Sequence, residues 1–518
     1  MLENEDIDAT DDMPVIRRLR REILFARERV YKIAAQTPLE RIDNFGSADV
    51  FVKREDLSPI KAYKWRGAYN RMAILTEKER ARGVITASAG NHAQGVALAA
   101  EALGIKALIY MPLTTPGVKR AAVQKLGGES VEIVLSGDSY DESSAAAKER
   151  GQNEGLTYIH AYDDLYVMAG QGTLADEVVM SGEGPFDVAY LQIGGGGMAA
   201  GVATWLKTFY PDIHIVGVEG VDQASMRAAV EAGHPTRLDE LDIFCDGTAV
   251  RQAGELPFQI CRDVIDEFVT VTNLEVSEAI RLYWDRIRVL SEPSGAMGVA
   301  GAWKQREKLA GKKVLVVLCG ANIDFNRLGT IASEVGEGDR IRHYLRISIS
   351  ERTGSMLQLL DDAFEGVGIR AFQYGKNNAD VAWPLFGLTL SKEELGRVKD
   401  ALSGSGYEFE ELTDTDEVRY RLIPLRADLL SAPLFLDLEF YERPGALHSY
   451  LTETVRGRGS FCYFNYTYTG ERVGRALIGI DFESAKERDA FLSDLPSSGE
   501  GFRSCKRLSD AATSHLLG

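Results

Sequence analysis

At 518 residues the chain is long enough for about three or four domains, and its 45% hydrophobic content is that of a folded protein rather than a disordered one. Acidic side chains (77) outnumber basic ones (59), and the resulting net charge of -18 repels phosphate backbones and anionic membrane surfaces, which excludes nucleic acid and lipid as partners. Cys245, Cys261, Cys319, Cys462 and Cys505 are odd in number and far apart, so a reducing compartment without disulfides is expected. No Cys/His cluster has metal-ligand spacing, and no metal is expected. The acidic leader is the reverse of a targeting peptide and no apolar run approaches membrane length, so the expected location is cytoplasmic.

After that leader, Pro14 suits the first turn of a helix whose apolar stripe is Ile16, Leu19, Ile23, Leu24 and Val30; leader and helix occupy residues 1–36. An apolar strand from Asp49 then passes through a Ser58-Pro59 turn and sets Lys64 between Tyr63 and Trp65 ahead of a helix. Wedged among those rings beside the cations of Lys61 and Arg66, the ammonium is desolvated and repelled, and both effects turn it into a nucleophilic amine that makes imines with carbonyls. From residue 84 short apolar runs (84–87, 107–110, 131–134) alternate with helical segments near 93–103, 117–127 and 139–153, the pattern of a parallel sheet. A strand at 188–193 ends in Gly194-Gly195-Gly196-Gly197 before a small-residue helix, and a strand closing on Glu219 follows. The last strand of this body, Val314 to Leu318, runs into Cys319-Gly320-Ala321-Asn322.

Residues 37–333 thus read as one catalytic body, with a smaller subdomain at about 76–165. Glycine and charge mark residues 334–342 as a linker. Beyond it the chain repeats itself: Glu351-Arg352-Thr353-Gly354 returns as Glu442-Arg443-Pro444-Gly445, and Phe372-Gln373-Tyr374 as Phe464-Asn465-Tyr466. The repeat predicts two α+β units of βαββαβ order, 343–420 and 432–515, able to form a groove for a small ligand.

Four glycines between a strand and a helix let backbone N–H groups converge at the positive end of a helix dipole, an anion cradle. Gly194, Gly196 and Ala199 also fit a dinucleotide fingerprint with Glu219 about 20 residues on, so a nicotinamide-dependent oxidoreductase is a rival. Ser88-Ala89-Gly90-Asn91-His92 likewise follows a strand and opens a helix, a second anion site suited to a substrate carboxylate. An imine-forming amine, a phosphate cradle and a carboxylate cradle are the minimum that a pyridoxal-phosphate enzyme acting on amino acids needs.

Eight ordered segments carry a family resemblance: 53–57, 64–68, 88–95, 111–116, 169–173, 194–197, 292–296 and 319–322. Over residues 37–330 the chain resembles the fold-type II pyridoxal-phosphate enzymes, and over its whole length the biosynthetic threonine dehydratase family with its two C-terminal ACT-like regulatory units. The fold implied is α/β, a two-subdomain body with parallel sheets followed by tandem α+β domains. The resemblance implies that Lys64 holds pyridoxal phosphate as an imine, that Tyr63 lies against its ring, that Asn91 bonds its hydroxyl and that Gly194, Gly195, Gly196, Gly197 and Met198 hold its phosphate. Cys319 faces the pyridine nitrogen, and a neutral thiol there favours loss of a β-hydroxyl over transamination. Ser88, Gly90, Asn91 and His92 take the substrate carboxylate. The implied reaction is dehydration and deamination of L-threonine to 2-oxobutanoate and ammonia, in a homotetramer inhibited by isoleucine near Gly354, Tyr374, Gly445 and Tyr466. Serine dehydration or racemisation on the same fold is the neighbouring alternative, and Ala89, where related serine racemases carry serine, argues against racemisation.

Overall fold

The computed structural model describes residues 13–334, 341–350, 355–364, 367, 369–373, 380–413, 415, 418, 430–441, 450, 454–455, 458–466, 473–499 and 502–517. The chain divides into two compact units, Met1–Ile323 and Asp324–Gly518.

The first unit contains two sheets. Its strands are β1 (Leu39–Ile42), β2 (Asp49–Arg54), β3 (Val84–Ala87), β4 (Ala107–Met111), β5 (Val131–Leu135), β6 (Thr157–Tyr158), β7 (Val188–Gln192), β8 (His214–Gly220), β9 (Glu267–Val271) and β10 (Lys313–Leu318). The larger sheet has the order β1-β2-β10-β7-β8-β9 and the smaller β5-β4-β3-β6. Apart from the antiparallel edge pair β1–β2, every pairing in both is parallel. Helical crossovers are what parallel pairing requires, and they cover both faces, so the interior strands β2, β7 and β10 are buried almost throughout, β2 including its Lys53 and Arg54.

The helices of this unit are α1 (Val15–Val30), α2 (Trp65–Ala73), α3 (Glu77–Arg82), α4 (Asn91–Leu103), α5 (Gly117–Gly127), α6 (Tyr140–Glu154), α7 (Leu165–Met180), α8 (Gly197–Phe209), α9 (Ser225–Ala232), α10 (Glu255–Val264), α11 (Asn273–Ile287) and α12 (Pro293–Lys304). Several begin where side chains satisfy the first-turn amides: Thr76, Ser139 and Thr272 each close a capping box with a glutamate three residues on. Helix α1 packs on α7 through Leu19, Ile23 and Ala26, while Val30, buried as fully, joins the core around α2 and α4. Leu24 departs from the expected stripe: one residue past Ile23 it is rotated off that face and is 51% exposed.

The second unit holds two four-stranded antiparallel sheets. The first has the order β13-β15-β11-β16, from β11 (Ile341–Ile347), β13 (Ile369–Gln373), β15 (Leu385–Leu390) and β16 (Phe409–Glu411); the short pair β12 (Ile349–Ser350) and β14 (Val381–Ala382) lies apart. The second has the order β18-β19-β17-β20, from β17 (Ala432–Tyr441), β18 (Ser460–Tyr466), β19 (Val473–Phe482) and β20 (Phe502–Arg507). Taking the four main strands of each copy in sequence order, both sheets are arranged 2-3-1-4, so the sequence repeat is a repeat of topology. Each has its own apolar core, around Leu345, Phe386 and Leu388 in one and Leu436, Ile478 and Phe502 in the other.

Candidate active site

Three adjacent parallel strands end at one edge of the larger sheet, and each delivers a segment singled out by sequence. β2 leads to Lys64, β10 to Cys319 and β7 to the glycine run. Open α/β sheets bind ligands at that edge, because the strand-to-helix loops converge there. The first two loops are stitched together: Ala62 bridges Gly320, the Tyr63 N–H donates to the Cys319 carbonyl (3.1 Å) and the Ala321 N–H donates to the Lys61 carbonyl (2.9 Å). The smaller sheet contributes α4, which follows β3. Gly95 lets this helix lie on the Lys64 backbone, since a Cβ there would come within 2.9 Å of the Trp65 Cα.

Lys64 caps the start of α2 and is recessed without being sealed. Burial lowers its pKa, while the charge of Glu292 pulls it back up. Desolvation thus acts as the local sequence suggests, but repulsion by Lys61 and Arg66 is not among the causes. Lys61 is exposed, with φ +58°, and Arg66 is turned into a buried network. There the Arg66 guanidinium pairs with Glu55 (2.9 Å) and Glu177 (2.6 Å), and Lys53 pairs with Glu177 (2.6 Å). Arg66 keeps its charge, but balanced by carboxylates in the network it is not among the causes that shift Lys64. Trp65 is also elsewhere, buried in the core that spans α2, α4 and the smaller sheet, while Tyr63 stays beside the amine, its ring centre 6.0 Å from Nζ.

Gly196 has φ +93°, and the helix α8 starts at Gly197. The N–H groups of Gly194 to Gly197 have no protein acceptor among the described residues. Behind the loop there is no room for side chains: a Cβ at Gly195 would sit 2.3 Å from the Tyr162 ring, at Gly197 2.8 Å from the Tyr162 carbonyl and at Gly194 2.8 Å from the Thr248 Cα. The glycines are packed from behind while their N–H groups stay unpaired, the combination that an anion cradle needs. Met198, the next residue, is buried in the core over the larger sheet. Glu219 does not serve a ribose, because its two oxygens accept the N–H groups of Met226 and Arg227, each at 2.9 Å, and cap α9. That occupation removes the acidic residue on which the dinucleotide alternative depended.

The Ser88 hydroxyl accepts the Gly90 N–H at 3.2 Å, and Gly90 is the N-cap of α4. His92 is buried, its Nε2 donating to the Ile159 carbonyl at 3.0 Å, and burial beside Lys64 holds its pKa down to about 3. Asn91 donates from Nδ2 to Glu292 Oε1 (2.7 Å) and accepts at Oδ1 from Asn322 Nδ2 (2.7 Å). Cys319 is buried, its Sγ 3.7 Å from the Ser294 carbonyl, and burial pushes the thiol up to about 12, so it is neutral at physiological pH.

Three contributors escaped sequence reasoning. Tyr162 backs the glycine run, the 245–248 turn packs Thr248 on Gly194 and Gly247 on Ser294, and Glu292 faces Asn91. Only Glu292 left a signal, as the first residue of a motif opening a helix. Of the expected effector residues, Gly354, Tyr374 and Gly445 lie outside the described residues, and Tyr466 ends β18.

A recessed amine of lowered pKa and a row of unpaired N–H groups on neighbouring strands fit pyridoxal phosphate, which needs an imine partner and a phosphate cradle. The comparisons agree. The family model described as pyridoxal-phosphate dependent enzyme matches residues 30–320, which defines the class of the catalytic body and its cofactor. The model described as the C-terminal regulatory domain of threonine dehydratase matches residues 431–515. The chain is 36% identical over 487 residues to the biosynthetic L-threonine dehydratase of Burkholderia multivorans, covering 92% of this chain and 95% of that one. It is 36% identical over 465 residues to the Escherichia coli enzyme of that name, covering 88% and 89%. Among solved structures, the processed form of threonine deaminase isoform 2 from Solanum lycopersicum matches at TM-score 0.59 and 39% identity, over 62% of this chain and 93% of that one. Maize serine racemase matches at TM-score 0.56 and 28% identity, over 60% and 95%. The chain belongs to the biosynthetic threonine dehydratase family, pyridoxal-phosphate dependent lyases that carry a C-terminal regulatory domain.

Proposed function

We propose that the protein converts L-threonine to 2-oxobutanoate and ammonia, and that the residues gathered at the strand ends carry the reaction. When bound, pyridoxal phosphate supplies an electron sink conjugated to the substrate Cα. The chain supplies attachment, orientation and proton handling.

Lys64 is the attachment point, its amine kept reactive by burial. Once displaced by substrate, the same amine takes the Cα proton. The N–H groups of Gly194 to Gly197 and the adjoining start of α8 at Met198 hold the cofactor phosphate, Tyr63 lies against the ring and Asn91 bonds its hydroxyl. Ser88, Gly90, Asn91 and His92, at the positive end of α4, take the substrate carboxylate. The thiol of Cys319 does not hold a proton on the ring nitrogen as a carboxylate would, so charge at Cα is relieved by loss of the β-hydroxyl, which departs as water with a proton equivalent to the one Lys64 removed from Cα. The observation that carries this reading is the convergence of Lys64, Cys319 and the glycine run on three neighbouring strand ends.

Isoleucine is the inhibitor in this proposal, acting through the paired C-terminal sheets, whose common 2-3-1-4 order and matched regulatory domain support an effector site there. A cytoplasmic homotetramer is the acting form on the family resemblance. The test is formation of 2-oxo acid from threonine and from serine, with and without isoleucine, in wild type and Lys64→Ala. Threonine turnover that isoleucine suppresses and Lys64→Ala abolishes is the expected result; undiminished turnover in Lys64→Ala overturns the assignment.

A further inference from the structure

One carboxylate at this site has no task in the reaction just described. Glu292 is buried at the N-terminus of α12, and its Oε1 lies so near the backbone that a Cβ on Gly320 would come within 2.4 Å of it. A buried acid is costly unless something holds it. Here its hydrogen-bond donors are the Asn91 amide (Nδ2 to Oε1, 2.7 Å) and the Asn322 backbone N–H (to Oε2, 3.3 Å).

These contacts close a ring whose polarity is set from one end. Asn322 Nδ2 donates to the Ile60 carbonyl at 2.8 Å, which fixes that atom as the nitrogen. The same Nδ2 donates to Asn91 at 2.7 Å, so the atom of Asn91 that meets it is Oδ1. The other end of the Asn91 amide is then Nδ2, and the Glu292 oxygen it meets must accept. Asn91 therefore spends one Nδ2 hydrogen on Glu292 and keeps the second. The ring joins the loop carrying Lys64, the start of α4, the start of α12 and the turn after β10.

We propose that Glu292 is a positioning residue for the reaction: as a carboxylate it locks the Asn91 amide, through the Glu292–Asn91–Asn322 ring, so that the second Nδ2 hydrogen is presented to the ring hydroxyl of pyridoxal phosphate, and protonation of Glu292, which leaves only a neutral hydrogen bond there, weakens that lock. This rests on the role given to Asn91 above. The ionisable groups around Glu292 are Lys64 and Tyr63 from the loop after β2, Cys319 from the end of β10, Asp246 from the 245–248 turn and Lys119 from α5. Lys119 is paired with Asp246 at 2.9 Å, so it is not an undivided counter-charge for Glu292. Burial first, then the charge of Asp246, pushes the Glu292 carboxyl up to about 7, so the lock changes state within the working range of an enzyme.

The test follows the visible absorption band of the bound cofactor from about pH 5.5 to 9 in the purified holoenzyme, with cofactor affinity measured at each end. Wild type should show a transition centred near pH 7 and bind the cofactor more tightly above it. In Glu292→Gln, whose amide accepts from Asn91 without charge and does not ionise, the transition should vanish while the cofactor stays bound with the weaker affinity of the acid form. Asn322→Ala breaks the ring on its other side, leaves the carboxylate in place, and should weaken the cofactor by about tenfold or more, as loss of a charge-linked hydrogen-bond network does. A Glu292→Gln transition at the wild-type pH, or unchanged affinity in Asn322→Ala, overturns the proposal. Wild type that takes up no pyridoxal phosphate would instead overturn the functional reading, so the two failures are distinguishable.

Discussion

Arg66 and Glu177 stand 111 positions apart in the chain and meet at 2.6 Å with the arginine fully buried and the glutamate nearly so. With Glu55 and Lys53 they make a four-charge network of zero net charge that ties α2, which begins one residue after Lys64, to α7. Removing one member strands the others without water. Glu177→Ala should cost about 3–5 kcal/mol, the cost of breaking a buried pair from one side. Arg66→Met combined with Glu177→Leu should cost clearly less than the sum of its single changes, read by denaturant unfolding followed through tryptophan fluorescence.

Gly195→Ala places a methyl 2.3 Å from the Tyr162 ring, a separation that side chains do not tolerate. The loop must then shift its N–H groups out of register with the phosphate they are proposed to hold. Affinity for pyridoxal phosphate should fall by about tenfold or more, measured by quenching of protein fluorescence, with the melting temperature nearly unchanged once the cofactor is removed from both proteins.

Cys319→Ala deletes a thiol that is already neutral, its pKa raised to about 12 by burial. Threonine turnover should fall by less than about tenfold, since no charge is lost. Cys319→Asp should do far more damage by placing an acid in the same buried position, the one proposed to face the ring. Steady-state kinetics with threonine, together with a search for aminated cofactor in the Asp variant, checks both.

His92 is held neutral by burial, with its pKa near 3 against about 6.5 when unfolded. The unfolded chain therefore binds a proton here that the folded chain refuses. The sign follows: stability contributed by this site is whole above about pH 6.5 and is lost as pH falls toward 3, up to a few kcal/mol. His92→Gln, which keeps a donor for the Ile159 carbonyl, should flatten melting temperature against pH between about 4 and 6.5 relative to wild type.

A chain ending at Ile323 should fold and turn threonine over without responding to isoleucine. The first unit has its own cores, and the tomato structure matched here covers 62% of this chain. Initial rates with and without isoleucine, on the full and shortened chains, decide it; inhibition that survives the truncation would place the effector site in the catalytic body.

Alternation of apolar runs and helical stripes determined by itself that the first unit is a parallel α/β body, because backbone pairing and helix period are local properties. The glycine turn after β7, the turn at Ser88 and the lysine after β2 were legible for the same reason: glycine, capping residues and aromatic neighbours act within a few positions. Tertiary structure alone decided which of these meet and what surrounds them. The order β1-β2-β10-β7-β8-β9 inserts the last strand of the body between two earlier ones, bringing Cys319 and Asn322 beside Lys64 and Asn91 from more than 200 residues away. The packing of α2 on α7 turns Arg66 from an apparent neighbour of Lys64 into half of a buried pair, and the start of α12 sets Glu292 against Asn91. A charge's effect depends on its nearest counter-charge and on the water it loses, and both come from the folded chain rather than from adjacent residues.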